Sequence, residues 1–325
     1  MKIFILGGGG MIGQKLAKSI NLGALGGVKE HNVVLLDVAF QNDVIGSSQN
    51  RICNVSEAGQ MEAIARERPD LIFHLASVVS GQAETDFDLG WNVNFHPTWR
   101  LLEALKQEEH FASSCTYRPK LVFTSSIAVF GGPYPELITD DFLSAPQTSY
   151  GAQKSICEAL IGDFSRKGFI DGISMRLPTI CVRPGKANLA ASSFFSSIIR
   201  EPLNGIDAIL PVSDTVRHWH ASPKSAVNFL IHASLLDLTI LGNRRAINLP
   251  GISCTVAEQI EALRSIAGQD VVNRIKISKN PEIEKIVEGW PQNFQPKRSL
   301  ELGFIAEKRF SEIINVYIDE DFTKL

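Results

Sequence analysis

No apolar run in this 325-residue sequence approaches the ~18 residues that a membrane-spanning helix needs. The start places a lysine before Ile3-Phe4-Ile5-Leu6 and then turns to glycine, too short a core for a secretory signal. Cysteine is sparse. Cys53, Cys115, Cys157, Cys181 and Cys254 form no CxxC pair, and their odd number fits no complete disulfide framework, so a reducing cytoplasm is expected. Excess charge is missing too: 32 Lys plus Arg stand against 35 Asp plus Glu, a net −3, and the densest basic spots are the pairs Arg244-Arg245 and Lys297-Arg298. Neutralising phosphates takes clustered cations, so neither nucleic acid nor a membrane is expected as a partner. There is no HExxH string, and His218 and His220 have no third His or Cys beside them, so no metal site is expected.

What is present is ample apolar residue, 44% of the chain, with 8% aromatics, enough to bury a core rather than stay disordered. Short β-branched or Leu-rich runs predict strands at 2–6, 33–38, 71–75, 120–124 and 173–177, with helices predicted between them at 10–22, 56–66, 91–106 and 150–167. Strands that are apolar throughout imply burial on both faces. The expected fold is therefore α/β, a Rossmann-type doubly wound parallel sheet. After Pro178 prolines punctuate shorter segments. Residues 1–178 are read as the nucleotide-binding domain and 179–325 mainly as a smaller α/β substrate-binding cap, with segments returning to the first domain.

The first strand runs into Gly7-Gly8-Gly9-Gly10-Met11-Ile12-Gly13 and then an apolar-periodic helix. Gly7 permits a tight turn, Gly10 lets backbone amides at Met11 and Ile12 approach a pyrophosphate, and Gly13 lets the helix close on the sheet. The second strand ends in Asp37, placed to accept hydrogen bonds from an adenosine ribose. Its charge repels a 2′-phosphate and no Arg follows in Val38-Ala39-Phe40, so NAD is expected over NADP.

A fourth strand ends in Thr124-Ser125-Ser126, and Tyr150 and Lys154 follow one helical turn apart. A phenol titrates near pH ~10, so service as a base at neutral pH requires lowering it by roughly three units, about 4 kcal/mol. The Lys154 charge, together with that of an oxidised nicotinamide, is expected to supply this in a desolvated cleft, with Ser126 donating a hydrogen bond to the substrate oxygen.

These motifs together resemble the extended short-chain dehydrogenase/reductases, the family of nucleotide-sugar epimerases and dehydratases. The resemblance implies a catalytic triad of Ser126, Tyr150 and Lys154. It implies cofactor contacts at Gly7, Gly10, Met11, Ile12, Gly13, Asp37, Asn54, Leu75, Ala76, Asn94, Tyr150, Lys154 and Pro178, and a homodimer through paired helices, for which 91–106 and 150–167 are the candidates. The family's Arg-Asp-Tyr/Phe cap motif appears here as Arg217-His218-Trp219-His220, which speaks against a nucleotide-diphosphate pocket. The strings Met175–Lys186, Arg200–Gly205 and Arg217–Pro223 resemble a dehydrogenase subgroup of that family, implying NAD-dependent oxidation of a four-carbon sugar acid at C2 to its 2-oxo acid. A guanidinium can clamp such a carboxylate, making Arg183, Lys186 and Arg217 candidates, with Asp214 the expected partner of Arg217 if it is structural. Ser77, Asn188, Ser126, Tyr150 and, less strongly, Ser192 are candidates for the substrate's oxygens. The alternatives are a nucleotide-sugar 4-epimerase or dehydratase that retains its NAD, and a non-catalytic dinucleotide-binding regulator. His74, in an apolar strand end, is expected to be a hydrogen-bonded core residue.

Overall fold

The continuously apolar runs form the strands of one sheet. In this computed structural model, which describes residues 1–40, 46–110, 117–185 and 191–322 (of residues 109 and 110 the backbone alone), the sheet has seven strands. They are β1 Lys2–Leu6, β2 Asn32–Asp37, β3 Gln49–Ile52, β4 Leu71–His74, β5 Lys120–Ser126, β6 Asp171–Leu177 and β7 Ala246–Asn248. They lie in the order β7-β6-β5-β4-β1-β2-β3, every pair parallel.

Burial on both faces explains the lack of alternation. Ile3, Ile5, Val33, Leu35, Phe73 and Val122 pack on one side with Leu16 and Ile20 of the helix Met11–Asn21. Phe4, Leu6, Val34, Leu36, Ile72 and Phe123 pack on the other with Leu101, Leu105, Cys157 and Ile161. The strand order reverses between β1 and β4, so the crevice for a ligand opens outside their carboxyl ends.

A three-stranded sheet joins Thr179–Ile180, Arg217–Ala221 and Ile252–Thr255, over a second core that includes Phe195, Ile198, Leu263 and Ile313. Between these segments, helix Pro223–Leu235 packs back against Met11–Asn21, and β7 adds to the edge of the main sheet. No described helix is long and apolar enough to cross a membrane.

Two features seat the helix Ser149–Arg166. Thr148 caps it, its Oγ1 accepting from Gly151 N at 3.1 Å, and a Cβ on Gly151 would lie 2.1 Å from Ala128 O, so only glycine lets the first turn press on the loop after β5. Farther along, the buried Glu158 carboxylate pairs with Arg176 of β6 at 2.7 Å and accepts from Ser125. The predicted helix 91–106 differs in detail: Trp91–Phe95 winds as a π-helix before the α-helix His96–His110.

Candidate active site

The glycine turn works by crowding. Gly7 has φ +83°, and a Cβ there would meet Ala76 N at 2.7 Å, while one on Gly13 would lie 2.5 Å from Gly7 O. The helix that follows starts at Gly10 with no side-chain cap and no acid in its first turn, so its leading N–H groups are left for an anion. Asp37 stands beside this loop, Oδ2 accepting from Gly9 N at 2.9 Å and Oδ1 from Val38 N at 2.7 Å, and each oxygen retains a lone pair for a ribose hydroxyl. Asn54 accepts from Ser56 N at 3.1 Å, which leaves its amide NH₂ free to donate. The helix N–H groups can donate to a pyrophosphate and the Asp37 carboxylate can accept from a ribose, the pairing that NAD requires, and these residues fit it.

The three expected catalytic residues come together. Ser126 ends β5, Tyr150 stands in the first turn of Ser149–Arg166, and both line one cleft with Ser77 and Lys154. Lys154 is buried. Its Nζ donates to Thr124 O at 2.9 Å and lies 4.7 Å from the Phe123 ring centroid and 5.6 Å from that of Tyr150. Burial pulls its pKa down to about 8. The structure qualifies one expectation: burial pushes the Tyr150 phenol above its ordinary value, outweighing the lowering influence of the nearby Ser77 and Ser126 hydroxyls.

Asn94 does not face the cleft. It is buried beneath the loop after β4, its Oδ1 accepting from Val78 N and Ser77 Oγ, both at 2.8 Å, and its Nδ2 donating to Gln153 Oε1 at 2.7 Å. It therefore positions Ser77. His74 is the core residue expected, 3.0 Å from Thr98 Oγ1, with a pKa lowered to about 3 by burial and by Lys154.

A cleft of about 370 Å³ joins these groups, with Met11, Ile12, Leu75, Ser77, Pro178 and Arg183 in its walls. Arg183 makes no ion pair among the described residues; its Nη2 donates to Ser192 Oγ at 3.3 Å, and burial pulls the guanidinium below its ordinary pKa. Arg217 is not in the cleft wall. It pairs with Glu258 at 3.3 Å, not with Asp214, and donates to Ser253 O. Lys186 and Asn188 lie outside the described residues. Thr179, His218 and Trp290 also line the cleft, though none of their side chains was among the candidates from the sequence. A larger groove of about 880 Å³ runs between the helices Ser80–Thr85 and Ser193–Leu203, but it holds none of the candidate residues.

Among known proteins, the sequence model of the NAD dependent epimerase/dehydratase family matches residues 3–232. The chain is 41% identical over 325 residues to a D-erythronate dehydrogenase of Haemophilus influenzae, covering 99% of this chain and 100% of that one. It is 43% identical over 330 residues to a D-erythronate dehydrogenase of Cupriavidus necator, covering 98% of each. A crystal structure described as the nucleoside-diphosphate-sugar epimerase from Agrobacterium tumefaciens superimposes with a TM-score of 0.93 at 49% identity, over 99% of this chain and 94% of that one.

Removing the phenol tests the role of Tyr150. Tyr150→Phe is expected to cut turnover ~10²- to 10⁴-fold, while NAD affinity by calorimetry stays within roughly twofold of the parent. Unchanged turnover contradicts the assignment.

Proposed function

This chain belongs to the NAD dependent epimerase/dehydratase family, and from that membership we propose that it oxidises a short sugar acid at C2, namely D-erythronate to 2-dehydro-D-erythronate. The observation that carries this reading is Arg183. A guanidinium drawn into the cleft with no carboxylate partner among the described residues calls for an anionic ligand, because an unpaired, partly desolvated cation is costly. The ligand's carboxylate meets it as a bidentate pair.

With the acid held there, the C2 hydroxyl lies against Tyr150 and Ser126. Bound NAD supplies the hydride acceptor and a positive charge near the phenol. Tyr150 Oη takes the hydroxyl proton, Ser126 Oγ donates to the oxygen as it becomes a carbonyl, and the C2 hydrogen leaves with its electron pair. Lys154, held by Thr124 O, supports the phenolate and orients the ribose.

A nucleotide-sugar epimerase, which the description of the Agrobacterium structure suggests, is the competing reading. The two readings part on the coenzyme, which a dehydrogenase leaves reduced and an epimerase returns oxidised.

Two further features complete the reading. The buried free thiols Cys53, Cys157, Cys181 and Cys254 suit the reducing cytoplasm. The exposed apolar side chains Trp99 and Ile156, on the helices His96–His110 and Ser149–Arg166, suit the face of a homodimer, for which light scattering should give twice the chain mass.

The test is a panel of aldonic acids and nucleotide sugars with NAD, followed by the absorbance of the reduced coenzyme. D-Erythronate is expected to give stoichiometric reduction. Arg183→Ala should raise its KM by ~10- to 100-fold with the KM for NAD unchanged, and Arg217→Ala should shift both less than roughly threefold. Product from a nucleotide sugar without net reduction of NAD contradicts the reading.

A further inference from the structure

Two hydroxyls in the cleft have their protons committed elsewhere. Ser77 Oγ donates to Asn94 Oδ1 at 2.8 Å. Thr179 is the second, and it has no part in the chemistry described so far. Its Oγ1 lies 2.7 Å from His218 Nε2, and the other ring nitrogen, His218 Nδ1, lies 3.0 Å from Pro291 O. A prolyl carbonyl only accepts, so Nδ1 carries the ring proton. Burial holds the ring neutral, its pKa drawn down to about 4. Nε2 is therefore an acceptor, and Thr179 must donate to it. The ring has little freedom to turn. It is 2% exposed, stacked on Phe195 at 5.4 Å with an interplanar angle of 5°, and Trp290 lies against it at 5.1 Å.

We propose that Thr179 is a specificity-determining residue whose oxygen, made acceptor-only by His218, takes a hydrogen bond from a substrate hydroxyl beyond the reacting carbon. The inference rests on the sugar-acid reading above and deepens it. Thr179 and His218 both stand in the cleft wall with Arg183, Ser126 and Tyr150. The wall thus presents a cation for a carboxylate and a bare acceptor for a hydroxyl proton, the complement of a polyhydroxy acid. A keto or deoxy group at that position brings no proton and leaves the Thr179 lone pairs unmatched. Sites built to pair a hydroxyl discriminate strongly against analogues that lack it. His218 acts only through Thr179, as a positioning residue.

The experiment compares D-erythronate with the two four-carbon acids that lack its C3 or its C4 hydroxyl, using purified full-length protein and NAD. The parent should prefer erythronate over at least one analogue. In Thr179→Val, which keeps the shape and removes the acceptor, kcat/KM for erythronate should fall ~10-fold or more while the value for that analogue changes less than roughly twofold, so the preference collapses. Thr179→Ser should restore it. His218→Phe should erode the same preference with Thr179 still present, which a purely structural role would not do, since that would lower all three acids alike. Equal loss on every acid in Thr179→Val, or no loss on any, overturns the proposal while the sugar-acid reading stands. Failure of the parent to oxidise any of the three overturns the reading itself, and the proposal with it.

Discussion

A buried ammonium sets the terms of this site. Lys154 sits between the Phe123 and Tyr150 rings, and among the described residues its Nζ makes one hydrogen bond, to the Thr124 carbonyl, and no ion pair. Taking that charge out of water lowers its pKa to about 8. The fold tolerates it because the carbonyl and the Phe123 ring face partly replace the lost hydration. The same burial that strengthens the field of Lys154 also raises the phenol next to it. The proposed mechanism therefore needs a further positive charge in the cleft to make Tyr150 a base, the charge that oxidised NAD would supply when bound.

The histidines follow an equally simple division of labour. His74, His218 and His220 are all buried and all held neutral by desolvation. None is placed as a metal ligand, and among the described residues no cluster could hold one. They fix hydroxyls and amides instead: His74 meets Thr98, His218 meets Thr179, and His220 meets Gln259 at 2.9 Å. Of these rings His218 lines the cleft, and there it fixes the polarity of Thr179.

Much of this was legible in the sequence where the physics is local. β1 spans Lys2–Leu6 as predicted, because a four-residue apolar run behind a lysine and ending in glycine admits little else. Helix Ser149–Arg166 lies within a residue of its predicted bounds, which put Tyr150 and Lys154 on one face. β3 and β7 were not predicted, since QNRI carries a single apolar residue and AIN is only three long. The substrate side depended on contacts that the sequence cannot show. His218 meets Thr179 across 39 positions and Pro291 across 73. Arg217 and Arg183 looked alike as isolated cations. What separates them is Glu258, which begins the helix Val256–Ala267 and lies beside Arg217 only after folding.

The most direct test of this account is a tyrosinate titration by ultraviolet difference between the parent protein and Tyr150→Phe, with and without oxidised NAD. The account predicts that Tyr150 ionises above the ordinary phenol range in the free protein and well below it with the oxidised coenzyme bound. A Tyr150 signal at the same pH in both states would contradict it.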